Sequence, residues 1–141
     1  MRTADEIRKI FISAVATGDV AELVSLYQPD AVLEAPEGRY EGSAEIEAYF
    51  EAQLTPFDAA LQLVATYDHR EVAITEWVLE MTHVRPIELP TGEALPATGR
   101  HLRQRGVDVA ELADGQFRYH RVYYDQRELL EQLGLIETVE V

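Results

Sequence analysis

The sequence contains no cysteine, which removes disulfides, thiolate metal ligands and thiol nucleophiles together. Long apolar runs are missing as well, and no stretch approaches the roughly 20 residues that cross a bilayer as a helix. The opening residues, MRTADEIRK, lack the apolar segment of a secretory signal, so a cytoplasmic protein is expected. Basic residues are scarce: Lys and Arg number 12 against 26 Asp and Glu, for a formal net charge of −14. The deficit is not local, since residues 1–71 carry 5 basic and 14 acidic side chains and residues 72–141 carry 7 and 12. Without a basic face to neutralise phosphates, nucleic acid and anionic membrane surfaces are excluded as partners. The acidity reads as solubility. HExxH-type ligand spacings, Gly-rich phosphate loops and a GxSxG elbow are absent too, so neither metal nor cofactor is expected.

What is present suits one domain over residues 1–141, 47% hydrophobic and long enough to bury roughly 68% of its unfolded surface. Residues 4–17 read as a helix, with Ile7, Ile10, Phe11, Ala14 and Val15 on one face, Thr3 and Glu6 at capping-box spacing and Gly18 as the stop. A shorter helix opens at Asp19, runs through Leu23, Leu26 and Tyr27, and ends at Pro29. A strand is expected at 31–35, a turn at PEGRYEG, and a third helix capped by Ser43 with Ile46, Tyr49, Phe50 and Leu54 inward. Strands follow at 59–67 and 72–84, separated by a turn at Asp68, His69 and Arg70. RPIELPTGEALPATG reads as a long loop. Strands at 100–112 and 117–124 are joined by Asp114-Gly115, a strong hairpin signal. A last helix, RELLEQL, follows Asp125 and stops at Gly134. Helices gathered before a run of strands predict an α+β fold, a curved antiparallel or mixed sheet with helices on one face.

The succession TGDVAELVSLYQPDAVLEAPEG, YEGSAEIEAYF, WVLEMTHV, GVDVAELADGQFRYHRVYYD and LLEQLG resembles the nuclear transport factor 2-like superfamily in its SnoaL-like polyketide cyclase branch. That resemblance implies a cone, a curved sheet wrapped by helices around an apolar pocket, and a homodimer. Its chemistry transfers only in part. The cyclases and the limonene-epoxide hydrolases place a catalytic aspartate just after the HR of GQFRYHRV, where this chain has Val122. A cyclase histidine on the preceding strand falls at Asp108, and another matches His83. Ketosteroid isomerases imply a carboxylate base at Ala35 and a tyrosine at Phe11, and neither is present. Their oxyanion-hole aspartate matches Asp108, and a carboxylic acid held neutral by an apolar site can donate a hydrogen bond to a developing oxyanion.

Two residues stand out as catalytic candidates. Asp108 shares a strand face with Gly106 and Ala110, and His120 shares one with Val122 and Tyr124. Phe11, Tyr27, Trp77, His83, Val122 and Tyr124 are the candidate substrate-binding residues. Asp125 reads as a helix cap, Glu34 as outward-facing, and Glu37, Glu41, Glu45, Glu47 and Glu51 as a solvated face. Together these features point to a small-molecule cyclase or isomerase acting on an apolar polyketide-type or terpenoid substrate. The alternative is a non-catalytic ligand-binding or assembly module, favoured by Val122 standing where relatives keep an aspartate.

Overall fold

The computed structural model describes residues 1–137. The first helix, α1 (Ala4–Thr17), has the expected limits, because Thr3 and Glu6 complete a reciprocal capping box and Gly18 closes the helix in the left-handed conformation. The second, α2 (Val20–Ser25), is shorter than the apolar spacing predicts. Tyr27 leaves it and begins β1 (Tyr27–Ala35), where it pairs with Phe117. Pro29 therefore lies inside a strand, in the interval between Tyr27 and Val32 where the pairing of β1 shifts register and a missing N–H costs no ladder bond.

PEGRYEG holds more than a turn, since β2 (Gly38–Glu41) folds back on β1. That strand runs straight into α3 (Gly42–Leu54), so the cap residue is the extended Glu41 and not Ser43. No side chain caps this helix, although the Glu41 N–H donates to the Glu45 carboxylate. The strands β3 (Phe57–His69) and β4 (Val72–His83) meet at Arg70-Glu71, a turn that begins two residues later than expected, because Asp68 and His69 stay paired with Ala73 and Val72. The proline-rich loop contains a small hairpin, β5 (Ile87–Glu88) with β6 (Ala94–Leu95). The long strands β7 (His101–Ala113) and β8 (Gln116–Tyr124) are joined at Asp114-Gly115, both with positive φ, as a tight hairpin turn requires. The last helix, α4 (Gln126–Leu133), is capped by Asp125, which accepts from the Glu128 N–H, and ends at Gly134.

Six strands form one mixed sheet in the order β2-β1-β8-β7-β4-β3, parallel only between β1 and β8. Register shifts in β3 and β8 bend it, and the helices cover its inner face. The core joins α1, α2 and α3 to that face through Ile7, Leu23, Leu26, Leu33 and Ile46, each close to fully buried and worth about 1.5–3 kcal/mol of transfer free energy. A second cluster, Met81, Leu102 and Leu133, seats α4 against the open end. Arg8 of α1 is buried on the sheet, where it donates to Thr75 and forms an ion pair with Asp68 that holds the Asp68 carboxyl below its usual range. This buried cation ties α1 to the β3–β4 pair. Among the described residues, no helix is long and apolar enough to cross a membrane.

Candidate active site

A strand alternates its side chains, so the inner row of β7 is Leu102, Gln104, Gly106, Asp108 and Ala110. The inner positions of β8 beside it hold His120, Val122 and Tyr124, and those of β4 hold Trp77, Leu79 and Met81. With Phe11, Tyr49 and Phe50 above them, these rows enclose a cavity of about 110 Å³. A single water needs only roughly 10–15 Å³, so there is room for an organic molecule. The walls are aromatic and aliphatic apart from a few polar groups, chiefly Asp108, His120, Gln104 and Gln53.

The floor depends on Gly106. The Trp77 indole lies across it, and a Cβ placed there would stand 2.3 Å from Cη2 and Cζ2 of the ring. Trp77 and Gly106 are cross-strand partners, so a side chain missing from one strand is the space filled by the ring of the next. Asp108 also borders a smaller cavity of about 30 Å³ that extends under α1 toward Arg8.

His120 is only 2% exposed and is held on three sides. Its ring stacks on Phe117 with centroids 4.3 Å apart, and the edge of Phe11 meets it at 6.4 Å. Tyr27 lies 2.7 Å from Nδ1 through its hydroxyl. Burial, followed by the Asp108 charge, raises the Tyr27 phenol far above its ordinary range, so it keeps its proton. That O–H has one partner, Nδ1, which must therefore accept, and the neutral imidazole carries its proton on Nε2. Nε2 makes no hydrogen bond, and the nearest carboxylate oxygen, Oδ2 of Asp108, is 3.4 Å away. The two catalytic candidates thus converge on one cavity without being bonded to each other.

Asp108 is the register partner of Val122, and both line the cavity. Side chains so paired have Cβ atoms about 4.5–5.5 Å apart. A carboxylate is thus present one strand over from the position where the family resemblance implies an aspartate.

Of the substrate-binding candidates, Phe11, Trp77, Val122 and Tyr124 line the cavity. Tyr27 and His83 do not. Tyr27 sits behind His120 in the aromatic core, drawn there by its place in β1. His83 is fully buried at the end of β4, where Nδ1 accepts from the Thr98 N–H and the ring rests on Phe57. It anchors the loop that leads into β7.

The reading of Glu37 as solvated is corrected. Its Oε2 accepts from the Tyr124 hydroxyl, its Oε1 is buried without a partner, and burial raises its carboxyl above the ordinary range. The hairpin β1–β2 turns this side chain under the sheet rim, which no local periodicity reveals. The folded state binds the Glu37 proton more tightly than the unfolded chain does. Its stabilising contribution is therefore whole below the unfolded value near 4.5 and is lost as pH rises through the folded value. Glu37→Gln should accordingly gain melting temperature relative to the native protein as pH rises from 4.5. A difference that is flat with pH in thermal melts would show that Glu37 is not held above its ordinary range. Glu34 does face outward and accepts from Tyr119 and Arg39, which hold its carboxyl low. Gln104 also escaped the sequence reading, because one polar residue in the inward row of a strand carries no periodic signal.

Among the described residues, no group of three or more His, Asp or Glu is placed to hold a metal ion. Compared with known protein families, residues 8–120 match the model of the SnoaL-like domain. The chain belongs to this family. No curated protein matches the SnoaL-like sequence. Solved structures resemble the whole SnoaL-like fold. AclR, a candidate hydroxylase from Streptomyces galilaeus, is 20% identical with a TM-score of 0.79, over 96% of this chain and 83% of its own. A candidate polyketide cyclase from Pseudomonas putida is 19% identical with a TM-score of 0.77, over 94% and 98%. A protein of ketosteroid isomerase-like fold from Catenulispora acidiphila is 14% identical with a TM-score of 0.75, over 94% and 95%. The SnoaL-like chain thus has an α+β fold of the ketosteroid isomerase-like type.

Proposed function

We propose that the protein is a small-molecule cyclase or isomerase of secondary metabolism, acting on an apolar polyketide-type or terpenoid substrate held over Trp77. The observation that carries this reading is the placement of Asp108 opposite Val122, with His120 Nε2 3.4 Å from its carboxylate inside an apolar cavity. For a chain of alternating carbonyls, Asp108 takes a proton from the carbon between two carbonyl groups. The enolate formed attacks a carbonyl farther along the chain, and His120 Nε2–H gives its proton to the oxygen that becomes an alkoxide. Asp108 then returns its proton to Nε2, and a new carbon–carbon bond has closed a ring with no net change in protons. The walls hold the folded chain near its reactive geometry, which lowers the entropic part of the barrier.

Mass spectrometry of a linear poly-β-carbonyl chain incubated with the protein tests this. Ring product above the spontaneous background is the expected result. If Trp77 fluorescence reports binding while polyketide and terpenoid probes alike stay at background, the protein is a binding module. Val122, standing where the family resemblance implies an aspartate, is the feature that favours that second reading.

The acting form is a homodimer joined through the outer sheet face, where Tyr123 and Val64 are 53% and 61% exposed. Light scattering at micromolar concentration should give twice the chain mass, and a monomer there removes the claim.

A further inference from the structure

Four residues from Asp108 along β7, past Gly106, lies Gln104, only 2% exposed. Its Nε2 donates to the main-chain oxygens of Arg105 at 3.3 Å and Asp125 at 3.4 Å. Both are carbonyls, which only accept, so exchanging the amide atoms would set oxygen against oxygen. The amide orientation is therefore determined, and Oε1 is the atom left buried without a partner. Such an orphan is costly in a folded protein. Its cross-strand partner is Leu79, and Met81 and Leu129 complete that end of the cavity.

We propose that Gln104 is a specificity-determining residue that accepts a hydrogen bond from a hydroxyl or N–H group of the ligand, at the end remote from Asp108. This rests on the reading of the cavity as a ligand site and narrows the ligand class. Residues 104 and 108 lie four steps apart on one strand, about 13 Å between Cα atoms. The ligand is elongated, apolar where it crosses Trp77, and hydroxylated at its far end. An ether or ketone at that end leaves Oε1 unpaired and is discriminated against. A variant of Gln104 without an acceptor loses this discrimination.

Calorimetric titration with 4-butylphenol and its methyl ether, 4-butylanisole, tests the assignment. The native protein should bind the phenol about tenfold more tightly, the worth of one hydrogen bond. Gln104→Leu should bind the two probes equally, while Asp108→Asn should keep the preference. Gln104→Met, which preserves side-chain length, should repeat the leucine result if leucine disturbs packing. Equal binding by the native protein overturns the role of Gln104, as does a preference that survives in Gln104→Leu. A preference lost in Asp108→Asn assigns the hydroxyl to Asp108 and also overturns it. If neither probe binds the native protein, the reading of the cavity itself fails, and this proposal with it.

Discussion

A variant carrying both Asp108→Asn and His120→Ala is expected to close the ring roughly 10²–10⁴-fold more slowly than the native protein, the range that positioned acid and base groups contribute. The first substitution keeps the shape of the Asp108 carboxylate while losing its basicity, and the second removes the Nε2 proton donor. Because the two groups act in one proton circuit, each single variant should lose nearly as much as the pair. Affinity for an apolar probe should change far less, because most of the wall is aromatic and aliphatic. His120→Ala also leaves the buried Tyr27 hydroxyl without its partner and removes the ring stacked on Phe117, so its fold needs checking by circular dichroism. Tyr27→Phe is the informative companion. It keeps the aromatic packing but frees Nδ1, so the imidazole proton is no longer held on Nε2, and the pH profile of turnover should move. If the double variant turns over at the native rate, proton transfer by this pair is wrong and the cavity acts by orientation alone.

Gly106→Ala is expected to abolish ligand binding, or weaken it by at least about a hundredfold, without unfolding the chain. The added methyl would stand 2.3 Å from two atoms of the Trp77 ring, closer than real carbon atoms approach. Both residues lie in paired central strands that cannot separate without breaking the sheet, so the ring is what moves. The space open to it is the cavity of about 110 Å³, which the indole would partly fill. Overpacking of this kind costs about 1–3 kcal/mol, within the stability of a domain this size. Trp77 is the sole tryptophan in the chain, so its emission spectrum reports the displacement directly. Adding Trp77→Leu to Gly106→Ala should reopen the space and restore calorimetric binding of an apolar probe, a coupling that independent sites would not show. Undiminished affinity in Gly106→Ala alone would place the ligand elsewhere.

The two predictions differ in how far the sequence foreshadows them. Gly106, Asp108 and Ala110 are assigned to one strand face by period-two reasoning, as are His120, Val122 and Tyr124, and the structure has both rows facing inward. The ends of α1 and the Asp114-Gly115 turn are legible because a capping box and a pair of positive-φ residues are local chemistry. Tyr27 is misplaced by local pattern because its spacing from Leu23 fits a helix, while its pairing with Phe117, 90 residues away, pulls it into β1. Ser43 is misread as a cap because the strand that feeds α3 from Gly38–Glu41 cannot be seen from the serine itself.

By itself, the sequence determined that the chain carries no cysteine and more than twice as many acidic as basic residues. It also determined the α+β order and which strand faces carry polar residues, since composition, caps and two-residue periodicity are local properties. The tertiary structure alone decided the meetings across strands. It set Asp108 against Val122, laid Trp77 over Gly106, and turned Tyr27 onto His120. It half-buried Glu37 against the Tyr124 hydroxyl and left one oxygen of Gln104 without a partner. Register and amide orientation are settled by groups far apart in the chain, and a one-residue change of pairing would reverse every face, so no local pattern can supply them.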